Sequence, residues 1–313
     1  MKVKSCGKFL RPRRTLTAFA IGAALLVEAC IPLEIKRGPE ANSPRLDGEH
    51  FVTDDGVELR MRRWLPDGRP EFIIIAAHGM NEHGRAFEWP AEFWRSNGIV
   101  TYAFDQRGFG RSPDRGIWPG TENLTRDLTQ FTRQIRAHHP DLPIFLLGES
   151  MGGSVALLTA SRRDLVEIQG VILVAPAVAP WKELPLVPRA SLWLAAHTIP
   201  WFMLTGEGLD LRPTDNIKLW REMSLDEDTI HGTRADAMYG LMRLMDHTAQ
   251  AVPKVQFPVL VLHGQRDEFV PPWMIDWLAG HLPESRVESV RYEDGYHWLL
   301  RDLKPEKVHG TIL

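Results

Sequence analysis

Residues 144–154 run from the apolar stretch Ile144-Phe145-Leu146-Leu147 through Gly148-Glu149-Ser150-Met151-Gly152 into Gly153-Ser154-Val155-Ala156-Leu157-Leu158. This is a strand, a sharp turn and a helix, with a serine at the apex. Gly148 and Gly152 leave no side chains to clash in so tight a turn. Ser150 Oγ is then raised above the sheet edge, and the Met151 N–H points back toward whatever the serine attacks. G-x-S-x-G alone is a weak signal, expected by chance in about one chain in ten of this length. Its position on a strand-to-helix junction makes Ser150 a nucleophile candidate; the bland reading is a glycine-rich turn.

A nucleophilic serine needs a base, an orienting carboxylate and oxyanion donors. On this kind of elbow the partners follow in the order serine, carboxylate, histidine. The strongest later strand, Phe257 to Leu262, is followed by Asp267 in a loop. The next, Val287 to Tyr292, delivers Gly295-Tyr296-His297-Trp298. His297 is the base candidate and Asp267 its partner. Glu268 is a second candidate for the carboxylate. His263 reads as a packed residue at a strand end, and Asp294 as a turn former. The second oxyanion donor is expected after the apolar strand Glu71 to Ala77, which ends in His78-Gly79-Met80-Asn81-Glu82-His83-Gly84. The Met80 N–H is the natural choice, with His78 in a structural hydrogen bond.

Four segments occur in one order: His78 to Gly84, Asp105-Gln106-Arg107-Gly108-Phe109-Gly110-Arg111-Ser112, Gly148 to Gly153, and Gly295-Tyr296-His297. Together they resemble the monoacylglycerol lipase and lysophospholipase branch of the α/β-hydrolases, also described as serine aminopeptidase-like. The resemblance covers residue 50 or so to the end of the chain. It implies Ser150, Asp267 and His297 as catalytic triad and the Met80 and Met151 amides as oxyanion hole. Haloalkane dehalogenases and epoxide hydrolases of this fold carry an aspartate at the apex, so serine favours acyl transfer.

The first thirty residues read differently. Lys2, Lys4, Lys8, Arg11, Arg13 and Arg14 precede an apolar run from Leu16 to Val27. A basic segment followed by about a dozen apolar residues is an export-signal pattern, too short for a comfortable span of about twenty. Val27-Glu28-Ala29-Cys30 resembles a bacterial lipoprotein cleavage site, although Glu28 is unusual there. Lipidation at Cys30 is therefore expected, with a periplasm-facing, membrane-anchored protein of the bacterial envelope as the outcome; plain secretion to the periplasm is the alternative. Cys6 leaves with the signal, so no disulfide is expected. Removing six of 37 basic and one of 40 acidic side chains before Cys30 leaves 31 and 39, a formal charge of −8. Such a chain is not expected to bind nucleic acid.

Residues 31–48 have no periodicity and read as a tether, and residues 49–313 suffice for one large core. Short apolar strands alternating with helical stretches (Ile99 to Phe104, Thr121 to His138, Leu142 to Leu147, Ser150 to Arg163, Val171 to Ala175) predict a mostly parallel α/β sheet with helices on both faces. Residues 50–53 and 57–64, joined by Asp54-Asp55-Gly56, predict an antiparallel hairpin at its edge. Residues 178–255 predict a helical cap insertion, with the Trp- and Leu-rich stretch Leu192 to Leu204 as lid face. The chain stops soon after His297, so one sheet face near His297 is expected to be poorly covered. Nothing resembles a metal-ligand cluster or phosphate loop, so no cofactor is expected.

The expected reaction is hydrolysis of a lipid ester, monoacylglycerol or lysophospholipid, through an acyl-enzyme. Three alternatives stand beside it. A small-ester esterase would have a closed cap. An aminopeptidase with the same triad would need a carboxylate pair in the cap, for which Glu207, Asp210, Asp226, Glu227 and Asp228 are candidates, though they read as an acidic surface. A non-catalytic binding protein would have no need of the intact serine, histidine, aspartate and glycine set.

Overall fold

A computed structural model describes residues 31–206 and 208–313 of the chain. The segment expected to be an export signal, with Cys6 and Cys30, and Glu207 lie outside those residues. The apolar runs form strands because each has a layer of side chains to bury on either face. In β4 (Phe72–Ala77), Ile73 and Ile75 join the larger core cluster while Ile74 and Ala76 join the smaller one on the opposite face. That alternation is the period-2 geometry of a strand buried on both sides.

The other strands of the main sheet are β1 (Arg45–Asp47), β2 (His50–Val52), β3 (Glu58–Trp64), β5 (Ile99–Phe104), β6 (Ile144–Glu149), β7 (Gly170–Val174), β10 (Val259–Gly264) and β11 (Val287–Tyr292). Their spatial order is β1-β2-β3-β5-β4-β6-β7-β10-β11. From β5 onward every pairing is parallel, and β1 to β3 run antiparallel at one edge. The expected hairpin is β2–β3, closed by Thr53 N–H donating to Val57 O at 3.0 Å. It is not the edge: β1 pairs outside it, from residues read as tether.

Helices α2 (Thr121–His138), α3 (Met151–Ala160) and α7 (Pro272–His281) cover one face. On the other lie α1 (Glu88–Ser96) and the six-residue α8 (Glu306–Thr311). Short as it is, α8 buries Val308, the following residue Ile312 is buried too, and the His309 carbonyl accepts from Trp94 Nε1 at 3.2 Å. The face near His297 is therefore closed. The open part lies at the opposite ends of the strands: a cavity of about 460 Å³ lined by Phe72, Phe145, Ile172, Leu260 and Val287.

Within 178–255 stand α4 (Leu186–Thr198), α5 (Ile217–Ser224), α6 (Ala235–Ala251) and a two-stranded ribbon of β8 (Met203–Leu204) and β9 (Thr233–Arg234). These helices are not equivalent. Leu241, Leu244, Met245 and Ala249 of α6 belong to the main core, and Thr248 Oγ1 donates to Ser154 O on α3 at 3.3 Å. In α4 only Ala196 is buried. Val187 is 74% exposed, and Leu186, Trp193, Leu194, Trp201, Phe202 and Met203 are exposed as well.

The segment 31–44 lies against the domain rather than hanging free. Ile35 N–H donates to Trp118 O at 2.9 Å, and Ala41 and Asn42 donate to Asp54 O. Arg37 is the fastening point: it pairs with Asp54, reaches Asp127 Oδ1 at 3.0 Å and donates to Asn123 Oδ1 at 3.2 Å. Nothing local in a Pro- and Gly-containing stretch signals this, because the carboxylates come from 17 and 90 residues away. Arg37→Ala should lower the unfolding free energy by about 1–3 kcal/mol, read as a lower urea midpoint at unchanged slope.

Candidate active site

The parallel strands all end at one edge, where loops of an α/β sheet hold ligands. There β6 passes into α3 through Ser150, whose backbone adopts φ 54°, ψ −116°. A non-glycine residue in this region costs about 1–3 kcal/mol and persists only when its surroundings enforce it. Ser150 N–H donates to Val174 O at 2.9 Å, while Ser150 O accepts from Gly153 and Ala177, each at 3.0 Å. A Cβ on Gly148 would overlap the Gly152 carbonyl, and one on Gly152 the Ala77 carbonyl. Both glycines are thus dictated by close backbone approach.

His297 Nε2 lies 3.0 Å from Ser150 Oγ, and its Nδ1 lies 2.8 Å from Asp267 Oδ2. The other oxygen of Asp267 accepts from the Phe269 and Val270 amides at 2.8 and 2.9 Å, which fixes the carboxylate. The Phe269 ring stacks on the imidazole at 4.9 Å. With Asp267 accepting at Nδ1, a neutral His297 carries its proton there and presents Nε2 to the serine hydroxyl. Burial works against the imidazolium, but the hydrogen bond and charge of Asp267, with Glu149 and Glu82 behind, outweigh it. The His297 pKa ends above its ordinary 6.5.

The neighbours fall into other roles. His263 Nε2 donates to Val270 O at 3.0 Å, Glu268 accepts from Arg212 N–H at 2.8 Å, and Asp294 pairs with Arg266. His78 donates from Nδ1 to Gly79 O at 2.8 Å and accepts at Nε2 from Gln106 N–H at 2.9 Å. Burial pushes its pKa down to about 4, so it is neutral. A Cβ on Gly79 would overlap the Glu82 carboxylate and stand against Ser150 Cβ, so the loop after β4 passes close to the elbow only with a glycine there. Met80 follows it, and Met151 opens α3; neither amide donates to another protein group among the described residues.

That loop is also tied to the cap. Asn81 O accepts from Ile230 N–H at 2.9 Å, and Asn81 Nδ2 donates to Thr233 Oγ1 at 2.7 Å. Of the cap carboxylates, Asp226 pairs with Arg85 and lies 3.3 Å from His83 Nε2. Asp228 takes both its oxygens to Arg111 Nε at 2.9 Å. These two are therefore not a plain acidic surface; they are ion-pair partners between cap and body. Asp210 and Glu227 are exposed. Among the described residues no group of three or more His, Cys, Asp or Glu is placed to hold a metal ion.

Charged residues that the motifs did not single out for a role are also buried here. Glu82, Glu149, Arg301 and Asp302 are all at most 6% exposed. Asp302 accepts from Tyr296 N–H at 2.9 Å and Thr214 Oγ1 at 2.7 Å, bracing the loop before His297. The available signal was the placement of charges inside otherwise small or apolar motif positions, as at Glu149 between Gly148 and Ser150.

A parallel sheet with a serine elbow at its carboxyl edge and a histidine–aspartate pair delivered by the last two strands defines an α/β-hydrolase of the serine-hydrolase type. The chain belongs to the serine aminopeptidase S33 family, whose pattern matches residues 68–304. It is 29% identical to human monoglyceride lipase over 291 residues, covering 88% of this chain and 93% of that one. It is 27% identical to a monoacylglycerol lipase of Mycolicibacterium smegmatis, covering 84% and 95%. Among solved structures, the crystal structure of Paleococcus ferrophilus monoacylglycerol lipase superposes with a TM-score of 0.67 at 25% identity, covering 82% and 96%.

Proton transfer from the Ser150 hydroxyl to His297 Nε2 requires a neutral imidazole, so reactivity of that hydroxyl is expected to fall as pH drops through the raised His297 pKa. Labelling of Ser150 by a fluorophosphonate should therefore show an acidic limb with its midpoint above 6.5. Asp267→Asn should move that midpoint down and slow labelling by on the order of 10⁴.

Proposed function

We propose that the protein hydrolyses the ester bond of monoacylglycerols through an acyl-enzyme on Ser150. The observation that carries this reading is the hydrogen-bonded chain from Asp267 through His297 to Ser150. His297 takes the Ser150 proton as Oγ attacks the ester carbonyl, and the Met80 and Met151 amides receive the developing oxyanion. Asp267 holds the tautomer and stabilises the imidazolium. His297 then protonates the leaving glycerol and later activates water to release the fatty acid. The likeness to proteins named monoglyceride lipase supports the substrate class, as does the apolar α4 region, since each acyl CH₂ buried gains about 0.8 kcal/mol.

The test is turnover of p-nitrophenyl esters from acetate to palmitate by residues 31–313, beside Ser150→Ala, followed by monooleoylglycerol against a lysophospholipid. Serine-dependent turnover that rises with chain length and prefers the glycerol ester is expected. Activity confined to acetate and butyrate would leave a small-ester esterase, and none at any length in folded protein would remove the ester reading.

Lipidation of Cys30 and retention in the envelope membrane form part of the same proposal. Leu33 N–H donates to Asp236 Oδ2 at 3.3 Å, and Ala235 N–H donates to Phe202 O at 2.8 Å. Residue 33 therefore leaves the domain beside the exposed edge formed by Trp201 and Phe202. Ile31 is 63% and Trp201 58% exposed. An anchor at Cys30 would hold this apolar edge toward the bilayer. Among the described residues no helix is long and apolar enough to cross a membrane. Cys30→Ala should move the protein from the membrane to the soluble fraction. Trp201→Ala with Phe202→Ala should slow hydrolysis of monooleoylglycerol in phosphatidylethanolamine–phosphatidylglycerol vesicles severalfold and leave p-nitrophenyl butyrate turnover unchanged.

A further inference from the structure

Arg301 comes four residues after His297, on the same loop, and is 2% exposed. Its Nη1 donates to Glu82 Oε1 at 2.7 Å and its Nη2 to Glu149 Oε2 at 2.6 Å. Glu82 follows Met80 in the oxyanion loop, and its carboxylate lies against Gly79. Glu149 is the last residue of β6, immediately before Ser150. One planar fork therefore joins the three loops that carry His297, the Met80 amide and the Ser150 elbow. The Trp298 ring covers the guanidinium at 4.7 Å, and the Arg301 carbonyl accepts from Asn216 Nδ2 at 3.2 Å.

A buried ion cluster of this kind is a poor source of stability, because desolvation offsets most of the attraction. Two carboxylates also face one guanidinium, and Glu149 Oε1 and Arg301 Nε have no partner among the described residues. Burial pushes Glu149 up to about 7, while the charge of Arg301 holds Glu82 below the usual carboxylate range. An arrangement that costs this much on a motif segment calls for a role in geometry.

We propose that Arg301 is a positioning residue that locks the oxyanion loop and the Ser150 elbow onto the His297 loop, setting the oxyanion donors against the nucleophile. The assignment rests on the Ser150 reading above. Oxyanion donors act on the transition state more than on bound substrate, so loosening them lowers kcat and spares KM. The cluster also faces His297 electrostatically. The groups around that imidazole are Asp267, with His263 Nε2 3.8 Å from its carboxylate, the Ser150 hydroxyl, the Phe269 ring, Glu82, Glu149 and Arg301, with neutral His78 beyond Glu82. The Glu149 and Glu82 charges raise the His297 pKa, so removing either lowers it. Loss of Arg301 also discharges Glu149, which sits at about 7 even beside the guanidinium, and so sets no fixed direction.

The experiment measures kcat, KM and pH profiles on p-nitrophenyl butyrate for the wild type, Arg301→Met, Arg301→Lys and Glu149→Gln, normalised to sites titrated by a fluorophosphonate. Arg301→Met is expected to lose about 10²-fold in kcat per site with KM within about threefold. Arg301→Lys, a point charge that cannot fork, should recover part of the loss. Glu149→Gln should lose less and shift the limb downward. Wild-type kcat per site in Arg301→Met would overturn the proposal, as would losses that only follow the fraction of titratable sites. If Arg301→Met does not fold, wild-type behaviour of both other variants overturns it. Wild-type turnover in Ser150→Ala would instead remove the underlying serine reading, whatever the Arg301 variants do.

Discussion

Ser150 holds a backbone conformation that an L-amino acid avoids, and much of the molecule is arranged to keep it there. The strain is of the order of 1–3 kcal/mol and is held by hydrogen bonds to Val174, Gly153 and Ala177. Those partners are in place because β6 is flanked by β4 and β7 in a sheet buried on both faces. Gly148 and Gly152 let α3 pack directly against the strand ends. The placement of the half-buried Ser150 hydroxyl against His297 is thus a product of the whole core.

Outside α6, polar contacts fasten the cap to this site. Asn81 bonds the loop after β4 to residues 230 and 233, and Asp226 and Asp228 pair with Arg85 and Arg111 of the body. Helix α6, by contrast, is core. The insertion therefore divides into a fixed part and an outer part, α4 to β8, whose apolar side chains face outward. Exposed apolar area of this kind marks an interaction surface, which agrees with the lipid substrate proposed above.

Electrostatics around His297 are lopsided. Asp267, Glu149 and Glu82 act to hold the imidazolium, with Arg301 the buried positive group between the two glutamates. The balance of these charges tunes the base that the proposed reaction uses.

The fold class and the residues now gathered around the elbow were legible in the chain because each signal is local. Strands buried on both faces must be continuous apolar runs, an elbow needs its glycines, and Asp267 and His297 sit a few residues past strand ends. The edge strand β1, the Arg37 strap and the Arg301 cluster were not legible. β1 is a three-residue strand, Arg45-Leu46-Asp47, paired with β2 across a tight local turn and announced by no apolar run. The strap and the cluster depend on charges meeting across tens to hundreds of residues, and a lone Arg37 or Glu149 looks the same in sequence whether it is solvated or buried. The short α8 was legible as a short ending, but not the sheet half it covers. Where an apolar residue goes follows from its period; which buried charge finds which partner is decided only once the sheet has brought the loops together.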